Sequence, residues 1–80
     1  MTRRERVRAA IRFQPTDQVP KDLSAMASTG VSCFAYPKLV AALGLPPRLP
    51  KVFDTGQMLA IPDRDVLDAL DCDCCFVGDV

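Results

Sequence analysis

Eighty residues make one small domain at most, and so short a chain buries a modest fraction of its surface and folds with little margin. With 49% hydrophobic and 25% charged residues, the composition is that of globular protein and excludes disorder as the starting expectation. Formal net charge is zero, but residues 1–12 hold five arginines against Glu5 and residues 54–80 hold seven aspartates against Arg64, so the two ends can attract each other or each face water.

Neither end is basic over a stretch long enough to call for nucleic acid. No apolar run approaches the ~20 residues that span a bilayer, and the basic N-terminus lacks the apolar centre of a secretory signal. These readings predict a cytoplasmic chain with no membrane or nucleic-acid partner. Its cysteines, Cys33, Cys72, Cys74 and Cys75, are then expected as thiols.

The first predicted element is a helix over "MTRRERVRAAIRF". Thr2 and Glu5 have capping-box spacing, Val7, Ala10 and Ile11 form an apolar stripe, and Pro15 prevents continuation. A turn follows, then a short strand around Val19 to Leu23, with Pro20 suited to a strand's beginning. "AMASTG" is a loop. "VSCFAYPKLVAALG" predicts a second helix, with Leu39, Ala42 and Leu43 on one face, Pro37 in the first turn and Gly44 as the left-handed cap. "LPPRLPK" is a connector in which three prolines forbid regular structure. "VFDTGQMLAI" fits either a short strand or a helical turn. "PDRDVLDAL" predicts a third helix, with Pro62 at its first position, early aspartates at the positive end of the dipole and Val66, Leu67 and Leu70 as the buried stripe. "CDCCFVGDV" closes the chain as a strand.

The order helix, strand, helix, connector, helix, strand is a βα pattern, which predicts an α/β fold with a parallel sheet. Two short strands leave unpaired backbone edges on every side, and a closed barrel of this kind takes roughly 250 residues. Residues 1–80 are therefore expected to be one incomplete domain.

The ordered motifs resemble those of the uroporphyrinogen decarboxylase superfamily. "RERVRAAIRFQPTDQVPKDL" is similar to the family's opening R-E-R-V helix and P-D-R-V-P turn, written here Pro15-Thr16-Asp17-Gln18-Val19-Pro20. "TGVSCFAYPKLVAALGL" looks like its T-G-x-x-x-x-A-Y-x-x-L helix ending in L-G-L. "VFDTGQMLAIPDRDVLDALDCD" is similar to its Y-D-x-x-Q-x-L-A-x-P-x-x-x-V-L-x-x-L-x-x-D stretch. The resemblance implies the N-terminal portion of a (β/α)8 TIM barrel. It also implies one of two activities for the intact protein: decarboxylation of tetrapyrrole acetate side chains, or cobalamin-dependent methyl transfer onto a small-molecule substrate. The decarboxylases carry arginines in the loop after the first strand, where guanidinium pairs bidentately with carboxylate. Here that loop is "SAMASTG", residues 24–30, without a basic residue, which favours the methyltransferase-like branch. Zinc and a corrinoid are implied for the parent, but its zinc ligands belong to later parts of the barrel, so no cofactor or metal is expected within this chain.

Five residues stand out as site candidates. Asp22 falls near the end of the first predicted strand, where barrel enzymes keep functional side chains, or it caps the following loop. Ser28, Thr29 and Gly30 could offer hydroxyls and a close backbone approach to a substrate, or form a tight turn. Asp79 lies about where the resemblance implies a catalytic aspartate, or is a loop residue. Cys72, Cys74 and Cys75 form one crowded C-x-C-C group, unlike the paired spacings of a four-thiolate zinc site, and suit small buried hydrophobes on a strand. The arginines of the first helix suit phosphate or a solvated face. The alternative to a catalytically incomplete barrel fragment is a small stand-alone interaction module, working through the basic helix or the proline-rich connector.

Overall fold

A computed structural model describes residues 1–77. In chain order the elements are α1 (Arg3–Ile11), β1 (Val31–Ser32), α2 (Tyr36–Ala42), β2 (Lys51–Asp54), β3 (Leu59–Ile61) and α3 (Arg64–Ala69), with a 3-10 turn at Ala27–Thr29. The chain is mixed α/β, with helices beside a small sheet.

The sheet corrects the parallel expectation. Its order is β1-β3-β2 and both pairings are antiparallel, with Val31 opposite Ala60, Val52 also opposite Ala60, and a bulge between Val52 and Asp54. The cause is local. The Asp54 carboxylate accepts the N–H groups of Gly56 (3.0 Å) and Gln57 (3.1 Å), and Met58 takes a φ of +53°, so the chain reverses within a few residues. A connection this short joins only antiparallel strands. The ambiguous "VFDTGQMLAI" is thus a hairpin.

The second helix is shorter than predicted. Val31 and Ser32 pair with β3, Cys33 donates its N–H to Met58 O at 2.8 Å, and the helix begins at Tyr36. Pro37 lies in its first turn, and Gly44 follows its end with a φ of +72°, a conformation in which a Cβ is unfavourable. In α3 the cap is Asp63, so Pro62 precedes the cap instead of opening the helix.

Neither predicted barrel strand forms a ladder among the described residues. Residues 19–23 and 72–77 meet at one point. Asp73 donates its N–H to Lys21 O at 2.8 Å, and Lys21 donates its N–H to the Asp73 carboxylate at 2.8 Å. A side chain there takes the donor that a continuing ladder would use.

α1 has the expected capping box. Thr2 Oγ1 accepts the Glu5 N–H at 3.1 Å and the Glu5 carboxylate accepts the Thr2 N–H at 2.9 Å. Its buried face is not the predicted stripe. Arg6 and Ala9 are buried, Val7 is half-buried, and Ala10 and Ile11 are exposed, Ile11 at 71%. Ion pairing turns the helix so that Arg6 points inward.

The core gathers Cys33, Tyr36, Val40, Ala60 and Val66, with Val31, Leu39, Leu43, Leu45, Val52 and Leu70 packed around them. Helices α2 and α3 thus close over the sheet, while Phe53 beside the bulge stacks on Phe76 with ring centroids 4.8 Å apart. Enclosure is incomplete. Phe13 is 98% exposed, and Val19, Phe34, Leu49 and Val77 are also exposed. The radius of gyration is 13.5 Å, against about 12 Å for a compact chain of this length. The accessible surface of 5460 Å² exceeds the roughly 4700 Å² typical of a folded monomer of this mass.

Candidate functional site

The loop after Pro20 brings together two of the residues singled out from sequence. One oxygen of Asp22 accepts the Ala25 N–H at 3.0 Å, and the other accepts the Thr29 hydroxyl at 3.1 Å. Ser24, fully buried with a φ of +59°, donates its N–H to Thr29 O at 2.8 Å and accepts the Val31 N–H on its hydroxyl at 2.7 Å. The segment 22–31 is therefore closed on itself by side-chain bonds, and its 3-10 turn leaves Ser28 exposed at the tip. Gly30 makes its close approach to the hairpin: a Cβ there would lie 2.6 Å from Leu59 Cδ1. The geometry gives Asp22, Thr29 and Gly30 structural partners, and leaves the Ser28 hydroxyl outward. Asp79 lies outside the described residues.

The segregated charges meet across the molecule. Arg6 grips Asp17 with two bonds, Nε to Oδ1 at 2.8 Å and Nη2 to Oδ2 at 3.2 Å, and its Nη1 donates to the fully enclosed carboxylate of Asp73. Arg3 donates to Asp68 at 2.7 Å and to Asp71 at 3.5 Å, and Gln18 Nε2 donates to Asp71 at 2.9 Å. The Arg6 guanidinium holds the Asp17 carboxyl far below the usual carboxylate range. Burial raises Asp73, but the Lys21 N–H and Arg6 outweigh it and its net shift is downward. This seam ties α1 to the segment after α3. Opposite-charge blocks at the two ends were its only sequence signal, and they did not reveal which arginine turns inward.

A second polar cluster closes the helical side. The buried Tyr36 hydroxyl donates to the Asp63 carboxylate at 2.7 Å and accepts the Asp63 N–H at 2.7 Å. Arg48, from the proline-rich connector, reaches Asp65 and lies 3.5 Å from Asp63. Burial, and then the Asp63 carboxylate, push the Tyr36 phenol up to about 12. Sequence reasoning missed this cluster because Tyr36 and Asp63 are far apart in the chain, and the local patterns that hold each of them do not show that they meet.

Cys72, Cys74 and Cys75 line an open depression of about 180 Å³ with Arg3, Arg64, Leu67 and Asp73. Burial raises the Cys72 and Cys74 thiols, keeping them protonated and weakly nucleophilic. Among the described residues no three His, Cys, Asp or Glu side chains come together as a metal-binding group. Among the same residues no helix is long and apolar enough to cross a membrane.

No protein-family model matches the chain, and no curated protein or solved structure resembles it significantly.

Proposed function

We propose that residues 1–80 form the opening portion of an α/β barrel enzyme of the uroporphyrinogen decarboxylase superfamily, of the methyltransferase-like branch, and that the chain has no turnover alone. The observation that carries this reading is the contact between Lys21 and Asp73. The two segments that the motif order assigns to neighbouring barrel strands touch there through two hydrogen bonds, although they are about fifty residues apart. The exposed side chains of Phe13, Val19, Phe34, Leu49 and Val77 and the expanded radius of gyration add support, since a closed barrel would cover such surface with later elements.

The methyltransferase-like branch is preferred on the 24–30 loop. It has no guanidinium for a polycarboxylate, and its Ser24 and Thr29 hydroxyls are occupied by Val31 N–H and Asp22. Asp22 then acts as the brace of the first active-site loop, and Ser28 is the side chain free to meet a substrate. In the parent, zinc would bind a thiol as thiolate for methylation from a corrinoid. Among the described residues no group of three potential ligands for that zinc comes together.

The test is to read the coding DNA beyond Val80, then assay the 80-residue chain and the extended protein for methyl transfer from methylcobalamin to a thiol. The expected result is an open frame continuing into histidine- and cysteine-bearing motifs, with turnover by the extended protein only. Turnover by the 80-residue chain itself, or an extension lacking further βα repeats, contradicts the proposal.

A further inference from the structure

The ion pairs divide the arginines of α1 into two sets. Arg3 and Arg6 are spent on carboxylates, Arg3 on Asp68 and Asp71 at the surface and the buried Arg6 on Asp17 and Asp73. Arg4, Arg8 and Arg12 make no ion pair among the described residues, and all three are exposed. Their spacing of four residues sets them in a row along one side of the helix. Ile11, 71% exposed, is the neighbour of Arg8 one turn on, and Val7 is the neighbour of Arg4 and of Ile11. Beside Arg8 and Arg12 runs an open groove of about 340 Å³, floored by Ala9 and bounded by Glu5, Gln14 and Met1.

From this we infer that the outer face of α1 is a docking surface for an acidic amphipathic helix of a protein partner. The inference is independent of the barrel reading. Three guanidiniums without carboxylates ask for anions, and the apolar residues interleaved with them ask for an apolar counterpart on the same ligand. A helix with carboxylates four residues apart and leucines beside them supplies both, with the same rise per turn as α1. Nucleic acid supplies no matching apolar ridge. An anionic membrane would meet a chain of zero net charge, whose ten carboxylates oppose the attraction of three arginines. The molecule already uses the proposed contact internally, where Arg6 grips Asp17 bidentately.

The experiment uses the full chain and a fluorescein-labelled helical peptide with Glu at i, i+4 spacing flanked by Leu, titrated by fluorescence anisotropy. Phosphatidylserine vesicles and a single-stranded oligonucleotide are the comparison probes. Binding of the peptide is expected to fall at least about tenfold in the Arg4→Gln, Arg8→Gln, Arg12→Gln triple variant, and to fall in Ile11→Ser. An Arg8→Glu, Arg12→Glu variant should instead prefer a peptide with Lys in place of Glu, which a merely misfolded protein would not do. Peptide binding that ignores these substitutions, a charge-swapped variant with unchanged preference, or tighter binding to the vesicles or the oligonucleotide overturns the inference.

Discussion

At the scale of single residues, Tyr36 is the most informative side chain. Its hydroxyl is both donor and acceptor to Asp63, tying the start of α2 to the cap of α3 through the middle of the core. Tyr36→Phe leaves a half-buried N–H and carboxylate without that partner, and should cost about 1–2 kcal/mol. A lower urea midpoint at unchanged slope would register it. The chain has one tyrosine and no tryptophan, so absorbance near the phenolate band reads Tyr36 alone. Its folded value of about 12 lies above the ordinary 10.0. The associated stability is therefore complete below pH 10 and lost as pH rises through about 12. A titration midpoint near the ordinary value in the native protein would contradict the burial and bonding described. Gly44 gives a second residue-level prediction. With a φ of +72° and open space around it, Gly44→Ala meets no neighbour but places a Cβ in the left-handed region, costing roughly 1 kcal/mol. The same thermal or urea measurement reads that loss. Gly44 was legible in the sequence because a cap depends on its own few residues. Tyr36 was not, because its partner is distant in the chain.

Among the elements, α1 shows how charge can override an apolar pattern. Sequence correctly gives the helix and its capping box, both set by Thr2 and Glu5 alone. It misplaces the buried face, because Val7, Ala10 and Ile11 form a weak stripe while Arg6 finds Asp17 and Asp73 in space. A helix held this way depends on pH. The carboxyls of Asp17, Asp68, Asp71 and Asp73 are all shifted below their ordinary value. Depressed folded values stabilise fully above the ordinary value of 3.8, and that stabilisation disappears as pH falls below it. Helical circular dichroism and amide protection over residues 3–11 are therefore expected to hold at neutral pH and to drop near pH 2 before the α2–α3 core loosens. Simultaneous loss of both would contradict the seam. At the cap itself, Thr2→Ala should cost about 1 kcal/mol of local helix stability, read as faster amide exchange at Glu5. The hairpin teaches the complementary lesson. Asp54 and Met58 make the reversal, but an Asp-Thr-Gly run is compatible with several turns, and the pairing with β1 comes from distant residues. The candidate loop was partly legible: Asp22 and Thr29 were each singled out and are bonded to each other. Ser24, whose buried hydroxyl anchors that loop to β1, stood among other small residues with nothing to distinguish it.

For the whole molecule, the α2–α3 core and the three-stranded sheet are well formed while much apolar surface stays bare. A polypeptide built so should be compact at one end and loose at the other, because the seam around Arg6 substitutes ion pairs for the packing of further elements. The most direct test is differential scanning calorimetry of the 80-residue chain. A complete domain of this length would absorb about 56 kcal/mol in one sharp transition near 60 °C. The barrel-fragment reading predicts a broad transition of much smaller enthalpy, with calorimetric and van't Hoff values that disagree. A single sharp peak near the full enthalpy, with the two values equal, would contradict it.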